Sequence, residues 1–168
     1  MYIERNLLKI RKLAGIREDD NYRFRVFLKG KDGEKIDKIV HRLHKEVSAQ
    51  IDCTSCANCC YCLTPKVSKA DIDILARLEN ISPEEFQDAY CETDFGSTYL
   101  EGTPCRYIDG KKCGIYENRP EQCKTYPNTG KPDFVARSLG MIGNYEVCPI
   151  VFNIMEMLKE ELWFRSRY

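Results

Sequence analysis

Apolar residues recur at helical spacing in several separate stretches of the chain. Ile3, Leu7, Ile10 and Ala14 predict a short amphipathic helix, with Gly15 as its stop. Asn21 to Gly30 reads differently: Tyr22, Phe24, Val26 and Leu28 alternate with Arg23, Arg25 and Phe27, which predicts a strand or an extended arm. Its two arginines are expected on a solvated face. Asp32 to Gln50 carries the clearest helical stripe, Ile36, Ile39, Val40, Leu43 and Val47, with Asp32 placed to cap its start. On that helix His41 points away from the stripe and His44 borders it, so both are expected to be ordinary surface residues rather than ligands.

Further on, Ser68-Lys-Ala-Asp71 and Ser82-Pro-Glu-Glu85 are capping-box sequences, each followed by apolar residues at helical spacing. The segment from Cys91 to Cys148 is broken by Gly, Pro, Asp and Asn, and is expected to be loop-rich with extended pieces near Cys105–Ile108 and Phe134–Ile142. Ile150, Val151, Ile154, Leu158 and Leu162 predict a closing helix entered through Cys148-Pro149. These elements predict a mainly α fold: a small helical domain with a loop-rich, metal-stapled half and at most a few short strands. A single domain over 1–168 is expected. Within it, residues 1–51 form an N-terminal helix, extended arm and helix, 52–148 a cysteine-cluster region and 149–168 a C-terminal helix.

Composition changes this picture in one respect. Basic and acidic residues balance at 26 each, which gives no basic excess for a nucleic-acid backbone. No apolar stretch has the length of a signal peptide or of a membrane span, so a cytoplasmic protein is expected, with no membrane or nucleic-acid partner. The chain nevertheless holds 10 cysteines, five of them within Cys53-Thr-Ser-Cys56-Ala-Asn-Cys59-Cys60-Tyr-Cys62. In a reducing compartment such density points to metal binding or redox chemistry rather than a disulfide framework.

Two consecutive Cys-x-x-Cys steps let Cys53, Cys56 and Cys59 turn inward from one loop, as at the start of a ferredoxin-type run. Cys60 then follows at once, and adjacent side chains tend to diverge, so Cys59 and Cys60 are expected at different sites or at different edges of one cluster. Cys105, Cys113, Cys123 and Cys148 fall along the loop-rich segment as tethers, with Cys123 and Cys148 near helix starts. Leaving aside Cys62 and Cys91, the remaining thiols number eight, enough for two four-thiolate sites or for one cluster and a remainder. Arg106, Lys111, Lys112, Arg119 and Lys124 could offset thiolate charge or simply be solvated. Tyr107, Tyr116 and Tyr126 are expected as buried loop aromatics.

The run Cys53 to Cys60, then Thr103-Pro-Cys105-Arg-Tyr, then Cys113-Gly-Ile-Tyr-Glu-Asn-Arg-Pro-Glu-Gln-Cys123-Lys-Thr-Tyr-Pro127, resembles the CxxCxxCC, or YkgJ-like, cysteine-cluster family. The resemblance implies a zinc- or iron-chelating domain whose eight characteristic cysteines fall on Cys53, Cys56, Cys59, Cys60, Cys105, Cys113, Cys123 and Cys148. A related pattern occurs in flagellin lysine N-methylases, where it is associated with an iron–sulfur cluster. This chain shows no glycine-rich loop for S-adenosylmethionine, and Cys62 and Cys91 are additional to the pattern. Three functions are weighed. The first is an iron–sulfur protein for electron transfer, redox sensing or service to a larger enzyme. The others are a zinc-structured module that binds another protein and a methyltransferase related to the flagellin methylases. The expected partner is another protein, either a redox partner or an enzyme.

Overall fold

Helix α3 (Gly33–Ser48) forms where the stripe predicts it, with the Asp32 carboxylate accepting from the N–H groups of Glu34 and Lys35. The computed structural model describes residues 2–167; the expected outer bounds, Met1 and Tyr168, lie outside the described residues. The fold is mainly α with a few short strands, as the sequence predicts. Two compact units divide the chain, one made of Met1–Asp52 with Pro127–Tyr168 and the other of Cys53–Tyr126.

The first unit is built from helices α1 (Leu7–Ile16), α2 (Glu18–Lys29) and α3, with α9 (Phe134–Tyr145) and α10 (Pro149–Glu161). Ile36, Val40, Leu43 and Val47 of α3 are buried, and so are Ile150, Val151, Ile154, Met155 and Leu158 of α10, the helix it packs against. Three expectations are corrected here. Gly15 does not stop α1, which runs on to Ile16 and is capped at its start by the Asn6 side chain.

The expected strand at Asn21–Gly30 is helix α2. Its buried positions are Asp20, Asn21, Phe24 and Leu28, and only a helix puts the adjacent pair Asp20 and Asn21 on one face with Phe24 and Leu28. Tyr22 and Val26, which an alternating pattern groups with them, are exposed. Glu18, Asp19 and Asp20 in the first turn, at the positive end of the helix dipole, favour the helix as well. Arg23 is tied inward by a 2.5 Å ion pair to Asp20.

The extended piece expected at Phe134–Ile142 is helix α9, with Phe134, Ser138, Met141 and Tyr145 buried at steps of four, three and four. Its Gly140 and Gly143 read as loop punctuation in the sequence, yet they cost a helix only about 1 kcal/mol each. A side chain from elsewhere starts α9: the Asp37 carboxylate accepts from the N–H groups of Asp133 (2.7 Å) and Phe134 (2.9 Å). His44 is also more engaged than expected. His44 is half-buried, its Nδ1 2.8 Å from the Oγ1 of fully buried Thr129, and burial, with the nearby His41, holds its pKa below the usual histidine value.

The second unit, Cys53–Tyr126, has its own small core. Val67, Ile72, Leu75, Ala76, Phe86 and Leu100 are buried together, with Tyr90, Cys91, Cys105, Tyr107 and Ile115 packed against them. Helices α6 (Lys69–Glu79) and α7 (Pro83–Tyr90) supply most of it, and both begin with the predicted capping boxes, Ser68 with Asp71 and Ser82 with Glu85. Two antiparallel hairpins follow: β1 (Cys91–Asp94) with β2 (Ser97–Leu100), and β3 (Ile108–Asp109) with β4 (Lys112–Cys113). Of the extended piece expected at Cys105–Ile108, only Ile108 lies in a strand.

Phe95 and Gly96 connect β1 to β2, both at positive φ (45° and 73°), the sign pattern of a type I′ hairpin turn. Phe95 is fully exposed and strained there, in a conformation that Asn adopts more readily. Replacing Phe95 with Asn is expected to stabilise the second unit by about 1 kcal/mol. A melting or urea-midpoint comparison of the two proteins checks this, and an unchanged or lower midpoint would contradict the turn assignment.

Candidate metal centre

The five-cysteine run folds as two single-turn helices, α4 (Cys53–Cys56) and α5 (Asn58–Cys62). They are separated by buried Ala57 in the left-handed conformation (φ 52°). That reversal lets one short segment carry two sets of thiols. Cys59 and Cys60 remain in hydrogen-bonding contact despite the divergence expected of neighbours, and the Cys59 thiol lowers the Cys60 pKa to about 7.

Backbone hydrogen bonds bring the later cysteines to this segment. The N–H of Cys105 donates to the carbonyl of Cys60 at 2.7 Å, and the Cys105 carbonyl accepts from Ile108 at 3.0 Å, where β3 begins. Cys113 sits on β4 opposite Ile108, and β4 lies against α4. The Tyr61 hydroxyl donates to the carbonyl of Gly110 in the β3–β4 turn at 2.5 Å. Cys123 stands in α8 (Glu121–Thr125), whose first N–H, from Glu121, donates to Asp71 Oδ1 at 3.1 Å. The Gln122 side chain accepts from the N–H of Lys66. Asp71 thus serves its own capping box and also anchors the helix that carries Cys123. Sequence spacing shows the first role and has no means of showing the second.

The charges of these thiols act on one another. Burial pushes Cys123 up to about 12, with further pushes from Cys105, Cys60 and Cys113. Burial likewise raises Cys105, again with Cys60 and Cys113 adding to it. Cys60, Cys105, Cys113 and Cys123 therefore form one electrostatically coupled set, with Cys59 in contact with Cys60. Among the described residues no three Cys, His, Asp or Glu side chains are gathered closely enough to hold an ion as they stand. The donor set suits a soft cation all the same: thiolate sulfur is the ligand that zinc and cluster iron prefer, and a bound cation would oppose the burial that raises Cys105 and Cys123.

The other cysteines divide. Cys53 is exposed and Cys56 half-buried, at the two ends of α4. Cys148 is buried in the first unit as the residue preceding Pro149 at the start of α10. Cys62 donates to the Asn58 side chain at 3.8 Å. Cys91 is packed on the second unit's core, its pKa raised by burial and by Glu101. Of the three tyrosines expected to be buried, Tyr107 and Tyr126 are half-buried, whereas Tyr116 is exposed, with Arg119 on the face of its ring.

A mainly α chain with a thiol cluster held in one loop-rich unit has the features of a metal-chelating cysteine-cluster protein. Residues 52–148, more than half of the 168, match the CxxCxxCC family, described as "Putative zinc- or iron-chelating domain", and the chain belongs to that family. The match supports metal binding by the cluster. No curated protein and no solved structure matches the chain. Among the described residues no helix is long and apolar enough to cross a membrane.

Proposed function

We propose that the second unit carries an iron–sulfur cluster on its thiolates and serves electron transfer, redox sensing or a larger enzyme that it accompanies. The observation that carries this reading is the coupled set of Cys60, Cys105, Cys113 and Cys123, joined at Cys60 to the Cys53-x-x-Cys56-x-x-Cys59 run. Four thiolates are the usual complement of an iron–sulfur cluster, and the additional thiols on α4 and α5 give it alternatives or a second centre. When bound, such a cluster supplies one-electron exchange. The chain supplies the thiolates, the backbone bond from Cys105 to Cys60 that keeps the two halves of the set together, and partial exclusion of water by Tyr107 and the α6–α7 core. The reading implies a reducing, cytoplasmic setting and another protein as partner.

A zinc-structured interaction module is the second reading, favoured by the small core of the second unit beside its irregular loops. Anaerobic purification followed by iron, zinc and sulfide analysis per chain separates the two. Iron with matching sulfide, and absorption from sulfur-to-iron charge transfer, is the expected result; zinc alone under those conditions would defeat the cluster. Cys148→Ser, measured in the same way, reads the role of the eighth thiol of the expected set.

A further inference from the structure

Five cations lie near the cysteines in sequence, and the structure separates them. Lys111 and Lys112 stand exposed on the β3–β4 hairpin. Lys124 directs its charge at Asp71. The two arginines are held quite differently. The Arg106 guanidinium lies 3.3 Å from the centre of the Tyr90 ring and 5.3 Å from that of Tyr107, with its Nη2 3.5 Å from Glu79 Oε1. Tyr90 is itself fixed by an edge-on contact with buried Phe86, at 5.2 Å between centroids. Arg119 lies 3.7 Å from the centre of the Tyr116 ring and donates to the Tyr116 carbonyl.

We propose that Arg106 and Arg119 are the built-in counter-charges of the thiolate set, positioning residues that act through Cys105 and Cys123 respectively and set its affinity for a metal. Arg106 is the neighbour of Cys105 in sequence, and Arg119 is joined to Cys123 through the turn that opens α8. A planar guanidinium stacked on an aromatic ring loses less freedom than a solvated lysine does, so its charge stays in place beside the site. The ring faces hold both cations without consuming them, except for the share that Glu79 takes from Arg106. Tyr90 and Tyr107, on which the Arg106 guanidinium lies, pack against the same core as Cys105. A four-thiolate centre bears net negative charge with either zinc or a cluster, and a fixed cation beside it favours the loaded state.

The inference rests on the proposed thiolate site, and its test distinguishes the two. Zinc ions are titrated into the anaerobically reduced full-length chain against a chromogenic zinc indicator, for wild type, Arg106→Gln, Arg119→Gln, Arg106→Lys, Arg119→Lys and Lys111→Gln. Each Gln variant is expected to lose about tenfold in zinc affinity, the lower end of the range for supporting residues around a metal. The Lys variants should recover part of it, and the losses should shrink at high salt. Lys111→Gln should stay near wild type. If Gln and Lys variants fall equally with no salt dependence, the arginines are structural only and the inference is overturned. Variants that all bind like wild type would overturn it as well. A wild-type chain that takes up no zinc at all would instead overturn the thiolate site on which it stands.

Discussion

Stripping the metal from the reduced protein is expected to unfold Cys53–Tyr126 while leaving the helices of the first unit in place. The core of the second unit gathers six buried residues, most of them from α6 and α7, and outside those two helices the unit is two short hairpins, single-turn helices and loops. So small a core is marginal by itself, and the free energy of binding a metal to four thiolates, roughly 10 kcal/mol or more for structural zinc, then becomes folding free energy. The first unit holds its own core, with Phe24, Leu28, Val40, Leu43, Val151, Ile154 and Leu158 buried, and has no such dependence. Hydrogen exchange with and without a strong chelator reads the difference unit by unit. Amides of α6, α7 and β1–β2 should lose protection on chelation, and those of α3 and α10 should keep it. Equal protection in both states would show that the thiols do not stabilise the unit. The same experiment has a pH arm: the ligands must shed protons to bind, so the metal should be lost as pH falls, with Cys123, held up at about 12 in the metal-free chain, contributing a released proton on loading.

The elements that are legible in the sequence are those whose signals are local. Asp32, Ser68 and Ser82 announce helices because a cap acts within one turn of its own residue, and the structure shows each of them bonded as expected. The α3 and α10 stripes are long enough to fix their period. Helix α2 passes for a strand because Tyr22, Phe24, Val26 and Leu28 satisfy alternation as well as they satisfy a helix, and only burial, which depends on partners distant in sequence, separates Phe24 from Val26. Helix α9 is hidden for a similar reason: its capping residue is Asp37, almost a hundred positions away. At the candidate centre, residue type and spacing mark the thiols, since nothing in an ordinary core demands Cys53 to Cys60. What brings them together, the Cys105 to Cys60 backbone bond and the grip of Asp71 on α8, is tertiary and leaves no local trace. The choice of Arg106 and Arg119 among five cations rests likewise on the Tyr90 and Tyr116 rings beneath them.

Glu156→Ala is expected to be the most damaging single substitution in the first unit. Lys159 is almost wholly buried, and its Nζ donates to Glu156 Oε1 at 2.6 Å and to Asn21 Oδ1 at 2.7 Å. The same carboxylate accepts from the Tyr145 hydroxyl at 2.6 Å and pairs with Arg17. Removing it strands one ammonium in the core, a buried phenol without its acceptor and a half-buried guanidinium. Breaking a buried pair in this way typically costs about 3–5 kcal/mol, whereas exchanging the buried charge for an apolar side chain can be nearly neutral. Lys159→Met should therefore cost much less than Glu156→Ala, since Glu156 keeps Arg17 and Tyr145. The pH dependence carries the sign of the cause. Burial, opposed by Glu156, holds the Lys159 pKa below its ordinary lysine value, so the unfolded chain binds more protons in the alkaline window between the two and stability there rises with pH. Loss of Glu156 lowers the folded value further and widens that window, so the deficit of Glu156→Ala should narrow as pH rises through it. Urea unfolding of wild type and both variants across neutral and alkaline pH measures this. A deficit that is constant with pH would show that lost packing, and not the stranded Lys159 charge, is what the substitution costs.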